Sequence, residues 1–129
     1  MINSFRIIDL LNTRFRDYPI MVDGIVHDDV NRTLKLPIVA PDWSEKIESE
    51  GCETPRARDS KCATYQLTVH NVQAVTISYS EDHKLNEIEL GSVQCIAPNE
   101  MLIEGHYILK IRVVFDGLDL SLCKLDMGH

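Results

Sequence analysis

The sequence has little positive charge. Its 129 residues include 13 Lys and Arg against 20 Asp and Glu, which gives a formal net charge of -7. A surface that binds nucleic acid needs clustered cations to neutralise phosphates, so this balance argues against nucleic acid as a partner. The same sign disfavours attraction to an anionic membrane surface. We therefore expect neither a nucleic-acid nor a membrane partner.

Long apolar runs are also missing. No segment reaches the roughly 20 apolar residues that a transmembrane helix needs. The N-terminal stretch MINSFRIIDLLNTRF places Asp9 among its apolar residues. It lacks the apolar region and small-residue cleavage site of a signal peptide, so the expected location is the cytoplasm.

Glycine and proline are scarce, with six and five residues, which is too few for a low-complexity chain. The hydrophobic fraction of 44% is ordinary for a globular protein. A chain of this length is the size of one domain. Residues 1–129 are therefore predicted to form a single domain around one core.

The four cysteines form no CxxC pair, which argues against a zinc ribbon or a thioredoxin-type site. Cys95 and Cys123 fall in predicted strands, where we interpret them as small apolar residues. Cys52 and Cys62 flank a polar segment and can form a disulfide under oxidation. Free thiols are the favoured interpretation, because the expected compartment is reducing.

Signatures of catalysis are absent from the sequence. There is no GxSxG elbow, no glycine-rich phosphate loop, and no HxH or HxxxH spacing for a metal. Glu87 and Glu89 share one face of a predicted strand, but this pattern is typical of the solvated side of an antiparallel sheet. We predict no catalytic, cofactor-binding or metal-ligating residue, and we do not expect an enzyme.

What the sequence does contain is alternation with a period of two. Apolar residues alternate from Tyr107 to Phe115 and again from Leu118 to Leu122, which is typical of half-buried strands. Asp116-Gly117 lies between the two runs and favours a two-residue type I′ turn. The chain end is therefore predicted to be a β-hairpin. Its predicted pairs are Phe115 with Leu118, Val113 with Leu120, and Ile111 with Leu122.

Five further strands are predicted upstream, in segments 20–28, 32–40, 64–69, 75–79 and 85–96. Pro37 predicts an edge strand or a bulge, because proline cannot donate to a sheet ladder. Gly91 predicts a bulge, because the alternation changes phase there. Pro98-Asn99 predicts a turn.

A short helix is predicted near the N-terminus, within residues 1–17, and a strand is the alternative for residues 4–15. Phe5, Ile8, Leu11 and Phe15 recur at roughly helical spacing, Ser4 is the predicted N-cap, and Pro19 stops the helix. With about seven strands, the predicted fold is mainly β. We expect an antiparallel β-sandwich or flattened barrel with this helix at one end or face.

Residues 40–61 are predicted to form one long surface loop, and loops of this length are usually functional or disordered. The first half of the loop is acidic and holds the only tryptophan. An exposed aromatic can anchor a protein interface, and acidic neighbours suit a basic partner. The alternative is that Trp43 covers the core. The predicted partner-binding residues are Asp42, Trp43, Glu45, Glu48 and Glu50.

Three stretches resemble the β-rich immunity proteins of bacterial polymorphic toxin systems and related uncharacterised bacterial families. They are IVHDDVNRTLKLPI, YQLTVHNVQAVTISYS and KLNEIELGSVQC, the last followed by the predicted hairpin. The matching motifs are short and structural, and residues 40–61 have no counterpart. The resemblance implies a non-enzymatic binder and carries over no contact residue.

The expected function is protein binding without catalysis or a cofactor. One form is an immunity protein that masks a basic toxin domain by steric and electrostatic complementarity. A small-ligand or carbohydrate-binding β-sandwich is one alternative, with Trp43 or Tyr79 stacking on the ligand. The other is an assembly subunit that pairs sheet edges, and the oligomeric state is left open.

Overall fold

The structure is a computed structural model that describes residues 3–42, 62–79, 86–106 and 108–125. One helix and nine strands form the described part. In chain order they are α1 (Ser4–Thr13), β1 (Pro19–Met21), β2 (Val26–Asp28), β3 (Thr33–Pro41), β4 (Cys62–Val69), β5 (Val72–Tyr79), β6 (Glu87–Ala97), β7 (Glu100–Gly105), β8 (Leu109–Phe115) and β9 (Leu120–Lys124). The predicted mainly β class with a short N-terminal helix is confirmed.

All strand pairs are antiparallel and follow the order β5-β8-β7-β6-β1-β3-β4-β9, with β2 paired to β3. The path does not close. It folds into two layers: a first layer of β1, β2, β3, β4 and β9, and a second layer of β5, β7 and β8. β6 belongs to both layers, because it pairs with β1 near its start and with β7 from Leu90 onward. Buried residues of both layers meet in one apolar core.

A bent two-stranded ribbon links the layers at the other side. β4 pairs with β9 in the first layer, and β5 pairs with β8 in the second. The corner is bonded as well. The His70 N–H donates to the Asp119 carbonyl at 2.9 Å, and the Asp116 N–H donates to the Asn71 carbonyl at 2.8 Å. Asn71 adopts a left-handed φ of 58°, which lets the chain turn sharply between β4 and β5.

The predicted terminal hairpin is wrong, because β8 and β9 pair with different strands in different layers. A type I′ turn needs positive φ at both central residues. Gly117 has a φ of 96°, but Asp116 is not among the positive-φ residues. The Asp116 and Asp119 backbone groups instead bond to the corner between β4 and β5. The predicted alternation is confirmed for five residues that are buried: Leu109, Ile111, Val113, Phe115 and Leu120. Leu118 and Leu122 are partly buried, and Tyr107 lies outside the described residues.

The strand number is nine rather than about seven, for two reasons. Predicted strand 20–28 is divided into β1 and β2 by a 3-10 turn at Val22–Gly24. Strand β7, which follows the confirmed turn at Pro98-Asn99, was not predicted as a separate strand. Its signal is the short alternation of Met101 and Ile103, both of which are buried.

Pro37 does not mark an edge strand, because β3 has neighbours on both sides. It falls between Lys35, which pairs with β2, and Ile38, which pairs with β1. Pro37 therefore lies opposite the break between those two short strands. A Cβ at Gly24 would lie 2.6 Å from the Pro37 ring, so glycine permits this close approach.

The predicted bulge at Gly91 is confirmed by a register shift between Leu90 and Ser92.

The N-cap of the helix lies one residue earlier than predicted, and the helix begins at Ser4. Asn3 is the N-cap, and its side chain accepts the Arg6 N–H at 2.8 Å. Ile7 lies in the buried face with Leu11 and Phe15, whereas the predicted member Phe5 is 74% exposed.

The predicted loop 40–61 starts later than expected, because β3 continues to Pro41. Residues 43–61 lie outside the described residues.

We expect Val113→Asp to destabilise the protein by about 3–5 kcal/mol, because it places an unpaired charge in the core. Val113 is fully buried in β8. Val30→Asp is the control, since Val30 is 90% exposed, and should change the free energy of unfolding by no more than about 0.5 kcal/mol. Denaturant titration measures both. Near-native stability of Val113→Asp would contradict the placement of β8.

The turn between β2 and β3 should respond to acid through Asp28. Its carboxylate accepts the backbone N–H and the side-chain amide of Asn31, which lower the pKa of Asp28 below 3.8. A lowered folded-state pKa stabilises the fold above the unfolded-state value, and the effect is lost as pH falls through the folded-state value. The melting-temperature difference between wild type and Asp28→Ala should therefore shrink towards low pH. A difference that is constant with pH would contradict this.

Candidate functional site

Sheet edges offer unpaired backbone N–H and C=O groups, and natural proteins usually cover or interrupt them. β9 is an edge that the helix covers at its first residue. The Ser4 hydroxyl of α1 accepts the Leu120 N–H at 2.9 Å. At the other end, Lys124 forms an ion pair at 3.1 Å with Asp42, which lies on the inner side, beyond β4. β9 is also only five residues long.

Part of β6 is covered by the helix and the segment after it, which bond to Leu90 and Val93, whereas Gln94 to Ile96 are exposed. The Asn12 side chain imitates a neighbouring strand, because its amide donates to the Val93 carbonyl and accepts the Val93 N–H, both at 2.8 Å. Leu90 makes two backbone hydrogen bonds in the same way, to Asp17 and Tyr18. α1 therefore closes the opening between β9 and β6.

β2 is an edge of only three residues, and it carries charge. The His27 Nε2 lies 3.1 Å from the Asp29 carboxylate, and Asp28 caps the following turn. Short length and charged side chains are two of the usual protections of an edge strand.

β5 lacks these protections. It is eight residues long, with the sequence VQAVTISY, and contains no charged residue, proline or glycine. Within the described residues, β8 is its neighbour on one side, and no strand pairs with its other side. We call this surface the β5 edge (Val72–Tyr79). Its β-branched and aromatic side chains favour an extended conformation.

The side chains of β5 that face the core are incompletely covered. Val75, Ile77 and Tyr79 pair with buried residues of β8, so they lie on the core face of the second layer. Ile77 is nevertheless 38% exposed and Tyr79 37% exposed. Apolar surface at the rim of the core is therefore accessible beside the unpaired backbone.

One end of the β5 edge is fixed to the first layer. The Val72 N–H donates to the Arg32 carbonyl at 2.9 Å, and the Arg32 side chain donates to the Val72 carbonyl at 3.4 Å. A register shift follows between Val72 and Ala74. The part of the edge that can accept another strand is therefore Ala74 to Tyr79.

The outer face beside this edge is neutral to basic. Thr76 and Ser78 lie on the outer face and pair with Arg112 and Lys110 of β8. Arg112 is bonded to Glu100 at 2.6 Å on the side away from β5. In a chain of net charge -7, this region carries little negative charge.

The structure describes only one of the predicted partner-binding residues. Asp42 lies just after β3, and its carboxylate is bonded to Lys124 of β9, so it helps to hold a sheet edge. The other four lie outside the described residues: Trp43, Glu45, Glu48 and Glu50. The β5 edge was missed at the sequence level, although the uncharged run from Val72 to Tyr79 is a visible signal.

A cleft of about 730 Å³ lies beside the helix start, and its lining includes His70 and Ser121. The His70 Nε2 lies 2.9 Å from the Ser121 Oγ. A Ser–His nucleophile needs a further group that orients the imidazole. Among the described residues, no hydrogen bond reaches the His70 Nδ1, so they provide no orienting group, and the pair is a polar contact between the β4–β5 corner and β9.

Other candidate chemistry is not assembled in the described part of the chain. Glu87 and Glu89 are exposed on β6 around buried Ile88, as the solvated-face interpretation predicts. No group of three His, Cys, Asp or Glu residues in the described ranges can hold a metal ion. No helix there is long and apolar enough to cross a membrane.

The described cysteines are exposed free thiols, at positions 62, 95 and 123. Cys95 and Cys123 lie in strands as predicted, but on the surface. Partial burial raises the pKa of Cys95, which disfavours the reactive thiolate. Cys52, the other half of the considered disulfide, lies outside the described residues.

No family model matches this chain, and neither a curated protein nor a solved structure does. The resemblance to immunity proteins therefore stays a prediction. The candidate site depends on the geometry of the sheet alone.

We expect Ile77→Ala to be much milder than Ile111→Ala, although the two residues pair directly. Ile111 is fully buried, so its truncation should cost about 2–5 kcal/mol. Ile77 is partly exposed, and its truncation should cost about 1 kcal/mol. Denaturant unfolding at low protein concentration measures both. Equal losses would show that the β5 edge is as covered as the core.

Proposed function

We propose that this protein is a binding protein that accepts an extended segment of a partner protein at the β5 edge. The observation that carries the proposal is an eight-residue uncharged strand at one end of the strand path. No strand in the described ranges pairs with it on the side away from β8, and the other described edges are shorter or partly covered. Addition of a strand to such an edge is a known mode of peptide and protein recognition.

The physical basis of binding is twofold. Alternate residues of an edge strand direct their N–H and C=O groups outward, so an added strand forms a ladder of hydrogen bonds. Each of these contributes about 0.5–1.5 kcal/mol net. An apolar side chain of the partner beside Ile77 and Tyr79 would also cover the exposed rim of the core. The favoured partner segment therefore alternates apolar and polar residues.

The immunity-protein proposal is a more specific form of the same function. It names a basic toxin domain as the partner and the acidic segment after β3 as the contact. Such an interface is electrostatic and weakens as salt rises. Binding at the uncharged β5 edge should depend little on salt, so salt dependence distinguishes the two contacts.

The small-ligand alternative has less support. Carbohydrate stacking usually involves an accessible Trp, Tyr or Phe ring in a concave site, and the residues lining the cleft beside α1 include none of these three. Tyr79 is accessible, but it lies on an open strand edge.

The test is comparative capture from the native cells with tagged wild type, Ile77→Lys and Gln94→Lys. Ile77→Lys adds an inward charge at the β5 edge, which is a natural device against strand addition. Gln94→Lys makes the same charge change on β6, an exposed position away from this edge. We expect a partner that wild type and Gln94→Lys retain through a salt wash and that Ile77→Lys loses by at least about tenfold.

Hydrogen exchange on the recovered complex then locates the contact. The β5 amides should become protected, while those of β9 should not change. Equal recovery by all three proteins, or protection confined to other strands, would contradict the proposal. Circular dichroism and melting of each variant verify that the fold is intact.

A further inference from the structure

The side chains of β5 are arranged so that the strand is complementary to itself. Its inward face carries Val75, Ile77 and Tyr79, and its outward face carries Ala74, Thr76 and Ser78. A twofold axis perpendicular to the sheet joins two copies of a strand in antiparallel orientation and keeps each face on its own side. Apolar side chains then meet apolar ones, and small polar side chains meet small polar ones.

From this arrangement we propose that a second copy of this chain occupies the β5 edge, with the twofold axis at Ile77. The inference rests on the strand-addition site of the proposed function and names its occupant. Ile77 then lies opposite Ile77 of the second copy, and Val75 lies opposite Tyr79. Pairs of aromatic and β-branched residues stabilise neighbouring strands. This register covers both partly exposed apolar residues of the edge, Ile77 and Tyr79.

The distribution of charge favours this surface over the rest of the molecule. Two copies of a chain with net charge -7 repel each other at most orientations. The strand β5 itself carries no charge, and its neighbour β8 carries Lys110 and Arg112, the latter paired with Glu100, and no carboxylate. Contact along β5 therefore brings no carboxylate of β5 or β8 against the second copy.

The size of the contact sets the expected strength. One added strand per copy buries an area at the low end for specific interfaces. We expect a reversible dimer, with the monomer dominant at low micromolar concentration and the dimer at several hundred micromolar. Sedimentation velocity across this range should show a rise in mean mass towards twice the 14.7 kDa of the chain.

A charge-exchange experiment tests the register. Ile77→Lys and Ile77→Glu should each remain monomeric, because each places two like charges across the axis. An equimolar mixture should dimerise again, because the lysine of one copy then faces the glutamate of the other. Gln94→Lys is the control and should dimerise as wild type does. If either Ile77 variant fails to fold, Thr76→Glu replaces it as a variant with a charge on the β5 edge. Thr76 lies opposite Arg112.

Wild type that stays monomeric at every concentration would overturn this inference. A dimer that persists in both Ile77 variants would also overturn it, as would a mixture of the two that remains monomeric. The proposed function is tested independently of the dimer. Capture of another protein that is lost in Ile77→Lys would support strand addition even when wild type is monomeric.

Discussion

The structure depends on the corner where the β4–β5 and β8–β9 connections bond to each other. These two connections carry a single antiparallel ribbon from one layer to the other through the left-handed backbone of Asn71 and Gly117. The ribbon brings together segments about 45 residues apart, so it is held by long-range pairing rather than by local turns. Because it turns this corner, β8 and β9 end in different layers, and β5 and β9 become the two ends of the strand path.

The two ends of the open strand path are β9 and β5, and their free edges are covered to different extents. The helix contributes Ser4 to β9 and Asn12 to β6, so one opening is closed by side chains that take the place of a strand. β2 is short and charged. The β5 edge retains a neutral strand with accessible apolar side chains, and this asymmetry is the basis for locating function there.

The candidate site depends on the position of β5 in the sheet, which the residues of β5 do not encode. The predicted site was the acidic segment around Trp43, because charged and aromatic residues can be recognised in a sequence without knowledge of the fold. A free edge is a property of the sheet order and has no residue signature of its own. The neutral run from Val72 to Tyr79 could be read as a strand, but an interior strand with one solvated face would look similar. In the described part of the chain no strand pairs with β5 on the side away from β8, and this position in the sheet makes the run a candidate site.

The sequence by itself determined the fold class, the alternating core faces, the bulge at Gly91 and the turn at Pro98-Asn99. These features depend on local periodicity and backbone preferences, which a short window of residues contains. Tertiary structure decided the partners of the strands. Asp116-Gly117 is compatible with a hairpin or with a crossing between layers, and the inward residues of β8 and β9 are buried in either arrangement. The choice was made by long-range bonds to His70 and Asn71, and the same choice left β5 at the edge.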